Sequence, residues 1–177
     1  HFFKFLNYMP DPSLKRNKNA IWLGHKWVGE RIEDTEYSLL CAKLRNGKMT
    51  DVFAHAGPLD EKGNIEYKKY HYAKEFLVQV KACDPELRIQ AWVGQVEVKG
   101  GGIIDISRKE IRDSVIETSE ILLQLGFDGI HYNIEPIFSG DENMIDLLKR
   151  TDSITKANGK ILSIATDEIE PYPLADK

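Results

Sequence analysis

Apolar and polar positions change period several times along the chain, and each change predicts an element. Phe2-Phe3-Lys4-Phe5-Leu6-Asn7-Tyr8, stopped by Pro10-Asp11-Pro12, reads as a first strand. A long loop then runs through Trp22 and Trp27. Leu39, Leu40, Ala42 and Leu44 predict a helix with Asp34 as its N-cap and Gly47 as a left-handed C-cap. Thr50 to Ala56 is a second strand, stopped by Gly57-Pro58. Tyr70, Ala73, Phe76, Leu77 and Val80 fall at helical spacing within a helix from Tyr67 to Cys83. After Asp84-Pro85, Leu87 to Val93 makes a third strand. Ile111, Val115, Thr118, Leu122 and Leu125 share one helix face behind a Ser107/Glu110 capping box. A short fourth strand precedes Ser139/Glu142, a second capping box, and a helix that closes at Asn158-Gly159. Lys160 to Ala165 is the fifth strand.

Four strand-helix alternations are the pattern of parallel βα units in one α/β domain, here 1–177. Two architectures compete. One is an open doubly wound sheet, the other a (β/α)8 TIM barrel of which the chain supplies about the first five units. A whole barrel needs about 250 residues, more than the 177 here. No GxGxxG follows the first strand, which removes the main support for a dinucleotide-binding sheet. Gly100-Gly101-Gly102 lacks a following Lys-Ser/Thr, so it reads as a mobile loop and not a phosphate loop.

The fourth strand, Gly129-Ile130-His131-Tyr132-Asn133-Ile134-Glu135, departs from the others. Period-two alternation puts His131, Asn133 and Glu135 on one face. Buried polar groups are costly unless paired. Two explanations stand: a catalytic or sugar-binding row, or a satisfied hydrogen-bond network inside a barrel.

Composition narrows the function classes. The chain is 42% hydrophobic and 29% charged, enough for a sizeable core. Its net charge of -4 argues against a general nucleic-acid or membrane-surface binder. The basic run Lys15-Arg16-Asn17-Lys18 reads as solvated surface. No apolar run is long enough to span a bilayer, so no membrane insertion is expected. The missing initiator Met marks a processed protein or a fragment. Cys41 and Cys83 make neither a metal pattern nor a disulfide framework; each reads as a buried helix thiol. No His/Cys/carboxylate spacing demands a metal, and no cofactor is expected.

The segment order resembles the glycoside hydrolase family 18 (chitinase-like) barrel. Asn7-Tyr8, Thr50 to Ala54 with Asp60-Glu61-Lys62-Gly63, and Leu87-Arg88-Ile89 before Gly94 look like its first three strands. Phe127-Asp128-Gly129-Ile130-His131-Tyr132-Asn133-Ile134-Glu135 looks like its fourth-strand DGxDxDxE signature, and Lys160 to Ala165 like its fifth strand. The resemblance implies that Glu135 is the proton donor and that Asp128 is the first aspartate of the motif. His131 and Asn133 replace the middle aspartates. In that family the residue two before the acid holds the substrate's 2-acetamido group while its carbonyl oxygen attacks C1. Asn133-Ile134-Glu135 is similar to the Asn-x-Glu pair of family 85 endo-β-N-acetylglucosaminidases. The third-strand Ser-x-Gly-Gly is not reproduced: Ala91-Trp92-Val93-Gly94-Gln95 keeps one glycine.

The resemblance implies a glycosidase acting on N-acetylglucosamine-containing glycans by substrate-assisted acid catalysis, which needs one protein acid and a group that orients the acetamide. Glu135, in a partly buried cleft, is expected to have a raised pKa, and Asn133 is its catalytic companion. His131, bonded in a relay with Asn133, His55, Trp92, Tyr8 and Asp167 are the candidate substrate contacts. Trp22 and Trp27 are further aromatics, Trp27 read as core. Two rivals stand beside this reading. One is a catalytically inactive carbohydrate-binding barrel of the same descent; the other is a hydrolase of a different polysaccharide with its second carboxylate beyond Lys177. The resemblance implies an extracellular or cell-surface location.

Overall fold

A computed structural model describes residues 18–166. Five strands form one sheet: β1 (Asn19–Leu23), β2 (Met49–Pro58), β3 (Arg88–Val96), β4 (Gly129–Glu135) and β5 (Ile161–Ile164). Between them run α1 (Lys26–Gly29), α2 (Asp34–Asn46), α3 (Ala73–Cys83), α4 (Lys109–Leu125) and α5 (Glu142–Ala157). All neighbouring strands are parallel and follow chain order, β1-β2-β3-β4-β5. That order separates the two expected architectures. A doubly wound sheet reverses its strand order at a switch point, whereas here the strands run in chain order without reversal and α2 to α5 pack into one core with the sheet. The result is an open parallel sheet with barrel-type winding.

The predicted strand at Phe2 to Tyr8 lies outside the described residues. The strand that pairs with β2 is Asn19–Leu23, in the segment expected to be loop. Its apolar residues fall on both faces: Leu23 is buried against the helices, while Trp22 lies on the opposite face against Phe53. An element that is apolar on both sides shows no period of two, which is why the pattern hid it.

The helix-covered face is almost wholly aliphatic. Val52, Ala54, Ala56, Ile89, Ala91, Val93, Ile130 and Ile134 are all fully buried. They meet Leu40 and Leu44 of α2, Phe76 and Val80 of α3, Val115 and Leu122 of α4, and Leu147 of α5. Burying a side chain such as Phe76 contributes about 1.5–3 kcal/mol. A polar cluster enters this layer: Tyr132 Oη lies 2.8 Å from Ser119 Oγ and 2.9 Å from Thr151 Oγ1. Burial pushes that phenol up to about 12, so it stays a neutral hydrogen-bonding group.

Local chemistry at the helix ends differs from the pattern-based expectation. Neither capping box forms. Ser107 donates to Asp105 while Glu110 pairs with Arg108, and α5 is capped by Asp141, which accepts from the amides of Asn143 and Met144. Asp34 is the first residue of α2 with Glu33 at the cap, and Lys48 rather than Gly47 takes the left-handed conformation. The stretch from Tyr67 splits into a 3-10 turn (Tyr67–Lys69) and α3.

The cysteines are also corrected. Cys41 of α2 and Cys83 of α3 form a disulfide, with Cα atoms 5.8 Å apart. Spacing alone could not reveal it, because only packing makes α2 and α3 neighbours. Closing a loop of 42 residues removes on the order of 4 kcal/mol of unfolded-chain entropy in the chain-entropy account.

Candidate functional site

Parallel register carries the residues of the polar row into a ladder on the uncovered face of the sheet. Trp92 pairs with His131 and with His55, Gly94 with Asn133, and Val96 with Glu135. The deeper part of this ladder is aromatic. His131 stacks on Phe53 at 4.0 Å between centroids, and Trp22 meets His131 and Trp92 edge-on, each at 4.6 Å. Its shallower part opens at the C-terminal ends of β2, β3 and β4, where His55, Trp92, Gly94, Asn133 and Glu135 line a cavity of about 200 Å³.

His131 is buried and does not contact Asn133 as a relay. Its Nδ1–H donates to Ser163 Oγ at 2.7 Å, and the Ser163 hydroxyl in turn donates to Gln90 Oε1 at 2.8 Å. That direction fixes the tautomer, leaving the unprotonated Nε2 without a partner among the described residues. Burial lowers the imidazole to about 4, so it is neutral near pH 7. His131 therefore belongs to the interior network, one pair below the cavity.

Asn133 and Trp92 sit differently. Asn133 Oδ1, an acceptor, and Trp92 Nε1, a donor, are both buried without partners. An unpaired buried polar group costs about 1–3 kcal/mol, so two beside one cavity mark a place where the chain is not self-satisfied. Gly94 makes their approach possible, because a Cβ there would stand 3.0 Å from Trp92 Nε1 and 2.9 Å from the Asn133 carbonyl oxygen. His55 lies 4.2 Å from the Trp92 ring. Its pKa is lowered, first by burial, then by His25 and Lys69.

Glu135 ends β4 and is exposed, not half-enclosed as expected. The strand carries it past the rim of the helix layer, and no described ion pair holds it. Asp128, the other acid of the motif, serves a different purpose at the opposite end. It accepts from the Ile89 amide at 2.8 Å and pairs with Lys81 at 2.7 Å, tying β3 and α3 to the start of β4. Tyr8 and Asp167 lie outside the described residues. Trp27 packs against the core, as its reading anticipated. Among the described residues no group of His, Cys, Asp or Glu side chains has the geometry to hold a metal, and no helix is long and apolar enough to cross a membrane.

Sequence reasoning passed over Glu97. It follows β3, is fully buried, and neither carboxylate oxygen has a hydrogen-bond partner. Extending the alternation of β3 by one residue puts Glu97 in phase with Ile89, Ala91 and Val93, the buried set. That continuation, in Val96-Glu97-Val98, was the available signal.

No protein-family model matches the chain, and no curated protein matches it in sequence. Solved structures match it in fold. The C-terminal domain of a putative chitinase from Desulfitobacterium hafniense superimposes with a TM-score of 0.64 at 12% identity, over 84% of this chain and 45% of that one. A chitinase-like agglutinin from Robinia pseudoacacia gives 0.59 at 18% identity, over 83% of this chain and 46% of that one. A class V chitinase from Nicotiana tobaccum in complex with NAG4 gives 0.58 at 16% identity, over 84% and 44%. The chain thus spans less than half the length of these structures, and what it shares with them is the parallel α/β fold of chitinase-like proteins.

Proposed function

We propose that the chain is the first part of a barrel-type glycosidase acting on N-acetylglucosamine-containing glycans, with Glu135 as proton donor and Asn133 as the holder of the 2-acetamido group. The observation that carries this reading is the convergence of Glu135 with two unpaired polar groups, Asn133 Oδ1 and Trp92 Nε1, at one cavity on the C-terminal side of a parallel sheet. That side is where barrel enzymes place their chemistry. In the proposed step the Glu135 carboxyl gives its proton to the glycosidic oxygen. The substrate's acetamide carbonyl oxygen bonds to C1 as the leaving sugar departs, and Asn133 Oδ1 accepts the acetamide N–H. Trp92 and His55 form the wall against which the sugar ring rests. A secreted or cell-surface setting fits the Cys41–Cys83 disulfide, since such bonds persist in oxidising compartments.

A second reading, a sugar-binding barrel without turnover, is favoured by His131 and Asn133 standing where the motif it resembles has aspartates. Turnover of N-acetylglucosamine oligosaccharides by the full-length protein, beside Glu135→Gln, separates the two. The hydrolase reading expects a loss of about 10²–10⁴-fold, the usual contribution of a general acid. Tight oligosaccharide binding with no cleavage by the wild type would establish the second.

A further inference from the structure

The Gly100-Gly101-Gly102 stretch, expected to be a mobile loop, is an ordered wrap around Glu97. The Glu97 carbonyl accepts from the amides of Gly100 at 2.8 Å and Gly102 at 2.9 Å, while its own N–H donates to the Glu135 carbonyl at 2.6 Å. Gly101 turns with φ of +81°, and a Cβ on Gly102 would collide with the Val96 carbonyl. A Cβ on Gly100 would meet the Pro136 ring, so the wrap also lies against the residue that follows Glu135. Two glycine amides on the Glu97 carbonyl, and the Glu97 N–H on the Glu135 carbonyl, fix the Glu97 backbone beside the end of β4, and its side chain is fully buried.

The charges that face Glu97 are few. Lys99 Nζ stands 3.6 Å from its Oε1, beyond hydrogen-bond range, and reaches Asp141 Oδ2 at 2.8 Å. Asp141 in turn caps α5. Lys99 therefore bridges the loop after β3 to the loop after β4, the two segments that flank Glu135. Burial raises the Glu97 pKa; Lys99 opposes that rise, and Asp141 and Asp105 add to it. The one ammonium of Lys99 thus faces both carboxyl groups, nearer to Asp141 than to Glu97.

We propose that Glu97 is a positioning residue for Glu135: the charge on its enclosed carboxyl group sets, through the Glu97 N–H and the Lys99 bridge, how the end of β4 is held. This rests on Glu135 being the acid of the site. The test follows the backbone carbonyl carbon at position 135 by NMR across pH, in the full-length wild type, Glu97→Gln and Glu135→Gln. The expected result is a step above the ordinary carboxylate range that persists in Glu135→Gln and vanishes in Glu97→Gln. A step that survives Glu97→Gln, or that disappears with Glu135→Gln, overturns the proposal. Should Glu97→Gln fail to fold, Lys99→Met replaces it, with the step expected to move upward and an unmoved step counting against the coupling. Turnover of an N-acetylglucosamine oligosaccharide supplies a second readout. Glu97→Gln should change kcat by a factor that varies several-fold with pH, whereas a pH-independent factor indicates a structural role only. Absence of any wild-type turnover would count against the hydrolase reading and leave the carbonyl titration to judge the coupling.

Discussion

At the N-terminal ends of the central strands Asp51 accepts from Arg88 and Thr50, and Asp128 accepts from Lys81 and the Ile89 amide. At the C-terminal ends of the same strands the Glu97 carboxylate is buried without a hydrogen bond, Asn133 Oδ1 and Trp92 Nε1 have no partners among the described residues, and Glu135 is exposed. The strands are continuous, so secondary structure does not distinguish the ends. One end satisfies its carboxylates internally; the other leaves polar groups free. Charge satisfaction serves stability at the first end, and its absence at the second is the feature on which the proposed site rests.

Five substitutions probe that contrast and its surroundings, beginning with the largest effect on stability. His131 is protonated in the unfolded chain below about 6.5 but in the folded chain only below about 4. The stability it lends is present above the higher value and is lost as pH falls toward the lower. A difference of this size is worth on the order of 3 kcal/mol. The gap in unfolding free energy between wild type and His131→Asn, from urea titrations at pH 7 and pH 4, should shrink by that order, and a constant gap would contradict the buried neutral imidazole. Asp128→Ala comes next, because it leaves the Ile89 amide without its acceptor and removes the ion pair of Lys81, whose ammonium keeps only the Leu87 carbonyl. Loss of charge-assisted hydrogen bonds there should lower stability by about 1.5–3 kcal/mol, whereas Glu135→Gln at the other end should leave the urea midpoint in place. Equal losses at the two ends would break the comparison.

Tyr132→Phe tests the helix-covered face, where it deprives Ser119 and Thr151 of a shared partner. About 1 kcal/mol is expected, and a neutral result in thermal unfolding would mean that the bonds of Ser119 to the Val115 carbonyl and of Thr151 to the Leu147 carbonyl suffice without the phenol. Lys156→Ala removes an exposed pair with Asp152 at 2.6 Å. Such pairs contribute at most about 0.5 kcal/mol, so a larger loss in a urea titration would show that surface charge matters more here than the inner ladder implies.

Much of the framework was legible in the residues themselves. Strands of period two and helices of period 3.6 were readable because each element from β2 onward presents one face to the core, and burial writes its pattern into the sequence at short range. Four alternations specified parallel βα units for the same reason. The motif ending in Glu135 could be located, and its alternation put His131, Asn133 and Glu135 on one face as the structure has them. What short-range pattern does not contain is which elements become neighbours. The pairing of β1 with β2, the strand order that distinguishes barrel-type from doubly wound winding, and the contact between Cys41 and Cys83 join residues far apart in the chain. The same holds for the site. His131 could be placed on the polar face, but only the approach of Ser163 and Gln90 made it an interior group. Glu97 could be seen as an acid between valines, but only the glycine wrap and the neighbouring strand end brought it beside Glu135. Local sequence determined where each side chain faces; tertiary packing, by closing long loops onto particular partners, decided which polar groups are satisfied and which are left open.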